Sequence, residues 1–164
     1  MLGNDEQYNS IIRNYVIAFG SIFNDITIVR RNSDDTIKKS IKVPLSYGPS
    51  EKFMALIHGD DKTIELPRIA FEITSMQYDG ERKLSKISGY THKETTTSKT
   101  FIEHPVPYDI DIDLFIMVKN ADDGTQILEQ ILPYFTPTFN IPIKELSDDS
   151  LVRDTPLVLN VVSL

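Results

Sequence analysis

Between residues 108 and 135 a strict two-residue alternation gives way to a helical repeat. Tyr108, Ile110, Ile112, Leu114, Ile116 and Val118 fall on one face of a strand. Asp109, Asp111 and Asp113 begin the other face, which continues with Phe115 and Met117. Strand side chains point alternately to opposite sides, so one face is apolar throughout and the other changes character halfway. The acidic half suits water or a polar cavity. The half bearing Phe115 and Met117 needs cover, which a neighbouring subunit can supply. That points to an assembly component more than to an enzyme.

The same periodicities divide the rest of the chain. Tyr8, Ile11, Ile12, Tyr15, Val16, Phe19, Ile22 and Phe23 recur at three- and four-residue steps and predict a helix over 8–23, capped by Asn4 or Asp5. Residues 26–31 and 36–45 are β-branched runs on either side of Asn32, Ser33, Asp34 and Asp35, the pattern of a hairpin. In its second arm Ile37, Lys39, Ile41 and Val43 share one face and Lys38, Ser40 and Lys42 the other, with Pro44 ending the ladder. A short helix over 51–57 stops at Gly59. Residues 68–78 predict a strand, with Ile69, Phe71 and Ile73 alternating against Ala70, Glu72 and Thr74, and Asp79-Gly80 turns the chain.

Residues 85–99 are polar and predict a long loop; the second reading is an arm or hairpin that orders on a partner. Beyond the aspartate strand, Asp122 or Asp123 caps a helix through Ile127, Leu128, Ile131 and Leu132 that ends or kinks before Pro133. Pro137 and Pro142 hold the next segment extended. Residues 156–164 are almost wholly apolar, as in an interior strand covered on both sides. With no internal repeat and no clean linker, residues 1–164 read as one domain.

Composition narrows the chemistry. At 164 residues, 40% hydrophobic and 25% charged, the chain has the make-up of an ordinary globular protein. Its net charge of −7 argues against a general grip on nucleic acid, which needs clustered Lys and Arg to displace phosphate counterions. The absence of cysteine excludes disulfides and thiolate metal sites. No apolar run approaches the ~20 residues of a membrane span.

Asp109, Asp111 and Asp113 invite a metal. An EF-hand loop, however, needs Gly at its sixth position and Glu at its twelfth, where this chain has Leu114 and Asn120. A two-metal hydrolase would have to recruit Glu72, Glu103 or His104, whose spacing does not recommend them. A solvated face or a subunit contact is the better expectation. His58, His92 and His104 are isolated, and no nucleophile elbow or phosphate-cradling glycine pattern is present. Arg30, Arg31, Arg68, Arg82 and Lys83 read as strand-end charges. No catalytic, metal or cofactor set emerges.

Five blocks in order carry a resemblance. They are IIRNYVIAFGSIFNDITIVRR, IKVPLSYGPSEKFM, LPRIAFEITSMQYDGERKLSKIS, VPYDIDIDLFIMVKNADDGTQILEQILPYFTP and RDTPLVLNVVSL. Together they resemble the tail terminator family of T-even-like contractile-tailed phages, also called tail sheath stabiliser and completion proteins, the cyanophage versions most of all. The resemblance covers nearly the whole chain and fades at residues 60–65 and 89–104. It implies a mixed α/β (α+β) subunit, mainly antiparallel sheet packed by two principal helices, with no enzymatic activity and no cofactor. It implies a homohexameric ring at the head-proximal end of the virion tail. That ring would contact the tail sheath, the tube or tube-capping protein and the neck or connector proteins, with genomic DNA passing through unbound and no membrane involved. It also implies that this chain is shorter than its relatives at the C-terminus.

Within that reading Phe115, Met117, Tyr134 and Phe135 are the expected subunit contacts, aromatic residues and Met being enriched there. Asp109, Asp111 and Asp113 would line the ring bore and repel DNA. The alternatives are another neck or head-completion connector, or a metal-dependent hydrolase using the aspartate strand.

Overall fold

The computed structural model describes residues 10–32, 34, 36–58, 65–85, 89–93, 99–136, 138–144 and 152–163. In chain order these form α1 (Ile11–Phe23), β1 (Thr27–Arg31), β2 (Ile37–Lys42), β3 (Leu45–Tyr47), α2 (Ser50–His58), β4 (Arg68–Tyr78), β5 (Gly89–Lys93) and β6 (Lys99–Glu103). β7 (Tyr108–Met117), α3 (Ala121–Ile131), β8 (Thr138–Lys144) and β9 (Val152–Val158) follow. The fold is α+β with mainly antiparallel pairing, as expected, but the strands are shared among small sheets. These are β1-β2, β3-β4-β7, β5-β6 and β8-β9. Two compact units result, Met1–Phe71 with Leu114–Leu164, and Glu72–Asp113. The division falls within β4 and β7.

The first unit holds the whole described core. α1 buries Phe19 and Phe23, and the Phe19 ring lies 5.0 Å from both Phe23 and Phe71. Gly20 permits that approach, since a Cβ there would stand 3.3 Å from the Phe71 ring. The helix follows Ser10, whose side chain makes no capping bond. Packing therefore holds it, as is usual for an amphipathic helix of this length. The expected caps Asn4 and Asp5 lie outside the described residues, as do Gly59 and Pro137.

β1 and β2 pair antiparallel, Thr27 opposite Lys42 and Arg30 opposite Lys39, but Arg31 faces Ile37. Lys38 is therefore the extra residue of a bulge. A bulge reverses the facing of what lies beyond it, so the expected single face of Ile37, Lys39, Ile41 and Val43 breaks. Val43 is fully buried, whereas Ile37 is 67% exposed. Pro44 ends the ladder as predicted, and Leu45, the last residue of the anticipated 36–45 strand, opens β3 in another sheet. There Leu45 pairs in parallel with Ile69 of β4, and the Ile69 amide donates to the Pro44 carbonyl at 3.0 Å.

α3 runs from Asn120, not from a capping aspartate; Asp122 and Asp123 occupy its first turn, where the helix dipole favours negative charge. Ile127 and Ile131 are buried, and Pro133 converts the exit into a 3-10 turn, Leu132–Tyr134. β8 and β9 pair antiparallel, Thr138 opposite Val158, with Ile141 and Ile143 buried. The expected doubly covered strand over 156–164 is not formed. Among the described strands β9 pairs with β8 alone, and its side chains alternate between half-buried and exposed, while residues 159–163 lie outside any strand.

The second unit corrects the loop expected over 85–99. Gly89–Lys93 and Lys99–Glu103 pair as a hairpin, Gly89 opposite Glu103. Gly-Tyr-Thr-His-Lys and Lys-Thr-Phe-Ile-Glu show no apolar alternation, so the pattern hides there. None of the unit's described side chains is buried.

Candidate functional site

Two polar arrangements and several exposed apolar groups make up the chemically distinctive surface. In the first unit α3 lies along β1. The Val29 amide donates to Gln126 Oε1 at 3.0 Å and the Thr27 amide to Gln130 Oε1 at 3.4 Å, while Gln130 Nε2 donates to the Thr27 carbonyl at 2.9 Å. Two glutamines thus occupy the backbone edge that another strand would otherwise use. One turn earlier, Arg30 Nη2 donates to Asp123 Oδ2 at 2.6 Å. The Asp123 side chain is 3% exposed and that of Arg30 38%. The hydrogen bond and charge of Asp123 hold the Arg30 guanidinium above its ordinary pKa.

In the second unit Asp109, Asp111 and Asp113 are exposed, as the alternation predicts. They do not converge on a cation site. Arg82 ion-pairs with Asp109 and Asp79, and Ser75 Oγ donates to Asp111. Asp79 also accepts the amides of Glu81 at 2.8 Å and Arg82 at 3.2 Å, closing the turn after β4. The Arg82 side-chain hydrogen bond, aided by that residue's amide, holds the Asp79 carboxyl below the ordinary range. Asp79 in turn raises the Arg82 guanidinium, with Asp109 adding to the shift. Among the described residues no group of three or more His, Asp or Glu is placed to hold a metal ion. No helix there is long and apolar enough to cross a membrane.

The four residues expected at subunit contacts fall in different surroundings. Phe115 and Met117 are half-buried on β7. Phe135 is half-buried, stacked on Phe23 at 6.5 Å and close to Phe139, so its ring belongs to the packing of α1. Tyr134 is 59% exposed and meets Phe139 edge-on. The sequence reading passed over Met76 and Tyr78. Both are exposed, and Tyr78 meets exposed Tyr108 edge to face at 5.8 Å. Their signal was available: large apolar residues at the far end of a strand, where its inner positions have already supplied the core.

A strand-rich chain that seals one sheet edge with side chains and leaves apolar groups outside is built for contact with other proteins. The comparisons place it in a contractile phage tail. The family model of the T4-like virus Myoviridae tail sheath stabiliser matches residues 6–164, and the chain belongs to that family. It is 33% identical over 165 residues to the tail completion protein gp15 of Enterobacteria phage T4. That match takes in 93% of this chain but 60% of the T4 protein, so the chain spans about three-fifths of that relative's length. It is accordingly a structural protein of a bacteriophage tail.

Proposed function

We propose that this chain is a subunit of a ring, six-fold by the family resemblance, that caps the finished tail tube and contractile sheath and offers a joining surface to the neck. The observation that carries the proposal is the family match along residues 6–164, supported by similarity to a tail completion protein. Like subunits in a ring meet through heterologous contacts that close by rotation. Phe115 and Met117 on β7, the exposed Tyr134 and the half-buried Phe135 are the residues assigned to such contacts. The net charge of −7 favours passage of DNA without adhesion.

The test is binding to purified sheath polymer. This chain is expected to co-sediment with sheath and, in electron micrographs of labelled protein, to decorate one end of each tube. Decoration along the length, or no co-sedimentation, overturns the proposal. Binding to isolated necks without any to sheath identifies a head-side connector instead.

A further inference from the structure

We infer that residues 159–163 of one subunit add as a strand to the outer edge of β7, at Leu114 to Met117, in the next copy of the chain. The inference rests on the ring reading above and names the contact that builds the ring.

Several of the described strand edges are shut, in different ways. β1 is occupied by Gln126 and Gln130. β2 carries the bulge at Lys38, with Lys39 and Lys42 beside it, a combination that discourages pairing. β8 and β9 contain Pro142 and Pro156, which cannot donate to a ladder. β3 is three residues long, and β5 and β6 form a separate two-stranded sheet. β7 is the terminal strand of its sheet and ten residues long. Its first half is guarded by Asp109, Asp111 and Asp113. The second half, Leu114, Phe115, Ile116 and Met117, has neither charge nor proline, and all four side chains are half-buried. An apolar edge of that kind is a template for another strand.

The same molecule carries a segment that fits it. Leu159, Asn160, Val161, Val162 and Ser163 are uncharged, free of proline and glycine, and outside any strand. Leu159 and Val162 are exposed, and Val161 is 82% exposed. β-Branched residues such as Val161 and Val162 favour a pleated, covered setting, which the described residues do not give them. Its length matches the unguarded half of β7, and having no charge it approaches a chain of net charge −7 without repulsion. Donor and acceptor are different surfaces. The contact is therefore heterologous, propagates from copy to copy, and closes as a ring.

The chain contains no cysteine, which makes cross-linking a clean test. Val161→Cys and Met117→Cys chains, mixed in equal amounts under mild oxidation, should give a disulfide-linked heterodimer. Each variant alone should give far less dimer. Val161→Asp should weaken self-association about tenfold or more, by placing a charge in a covered ladder, whereas Val161→Ile should leave it unchanged. Assembled rings without the mixed cross-link overturn the inference, as does an intrachain disulfide in the double-cysteine chain. Sheath-end binding by the unaltered chain is measured in parallel. If sheath binds but the cross-link fails, edge addition alone is overturned; if the cross-link forms but sheath does not bind, the tail-capping reading falls and edge addition stands.

Discussion

Replacing Arg30 by Met tests how the first unit is held together. Arg30 Nη2 and the nearly buried Asp123 carboxylate are 2.6 Å apart, tying β1 to α3. Removing one member of a fully buried pair costs about 3–5 kcal/mol, because the remaining charge is left without compensation. Two features reduce that figure here. Arg30 is more than a third exposed, so water can reach the site. Asp123 also sits in the first turn of α3, where the helix dipole offsets roughly 0.3–1 kcal/mol. The expected loss is therefore about 2–3 kcal/mol, or roughly 5–10 °C in Tm for a chain of this size. Urea unfolding followed by far-ultraviolet circular dichroism is the assay. The α-helices among the described residues all belong to the first unit, so the helical signal reports on it. Arg30→Met combined with Asp123→Leu should return to within about 1 kcal/mol of the parent, since an apolar pair of similar volume is tolerated where a lone charge is not. A single variant that loses less than about 0.5 kcal/mol, or a double variant as unstable as the single, refutes the reasoning.

Two further outcomes follow from the polar contacts. Gln126→Ala leaves the Val29 amide without its partner and should cost about 1 kcal/mol, with faster hydrogen exchange at Val29; unchanged protection of that amide would show that the glutamine does not seal the edge. Asp79 has its carboxyl pKa depressed in the folded chain, so its contribution is present above the unfolded value and is lost as pH falls through the folded one. Titration below about pH 4 should therefore loosen the turn over 79–82, read as a shift in the Glu81 and Arg82 amide resonances. In Arg82→Gln the titration of Asp79 should move towards the ordinary carboxylate range, and an unmoved midpoint would count against the contact.

What was legible in the sequence followed long periods and hard stops. β4 occupies residues 68–78 as the alternation required, and α3 gives way where Pro133 removes a donor. What stayed hidden depends on partners distant in the chain. Asp123 reads as a solvated cap, because nothing near it announces Arg30. Phe135 reads as a surface aromatic until α1 brings Phe23 against it. Ile37 reads as inward until the bulge at Lys38 turns it out. The β5-β6 hairpin is built from Gly-Tyr-Thr-His-Lys and Lys-Thr-Phe-Ile-Glu, two short strands in which apolar residues do not alternate with polar ones. In the candidate contact surface, the sequence placed Phe115 and Met117 on a face in need of cover. It could not show that β7 ends its sheet, because strand order is a property of the fold.

That strand order gives the chain a direction. A subunit with several open edges would pair indiscriminately and aggregate, whereas one with none could not use backbone hydrogen bonds for assembly. Here the shutting devices differ in kind: glutamine side chains on β1, a lysine-flanked bulge on β2, prolines in β8 and β9, aspartates along the first half of β7. Each costs little in folding, since each uses side chains that water would otherwise hold. What they leave is a short acceptor of four residues on one strand and a donor of similar length after another. An interface that small gives modest affinity for a single pair of copies. In a closed ring every subunit would make the contact twice, once as donor and once as acceptor, so releasing a subunit means breaking two junctions. Weak pairing and firm closure are then the same design.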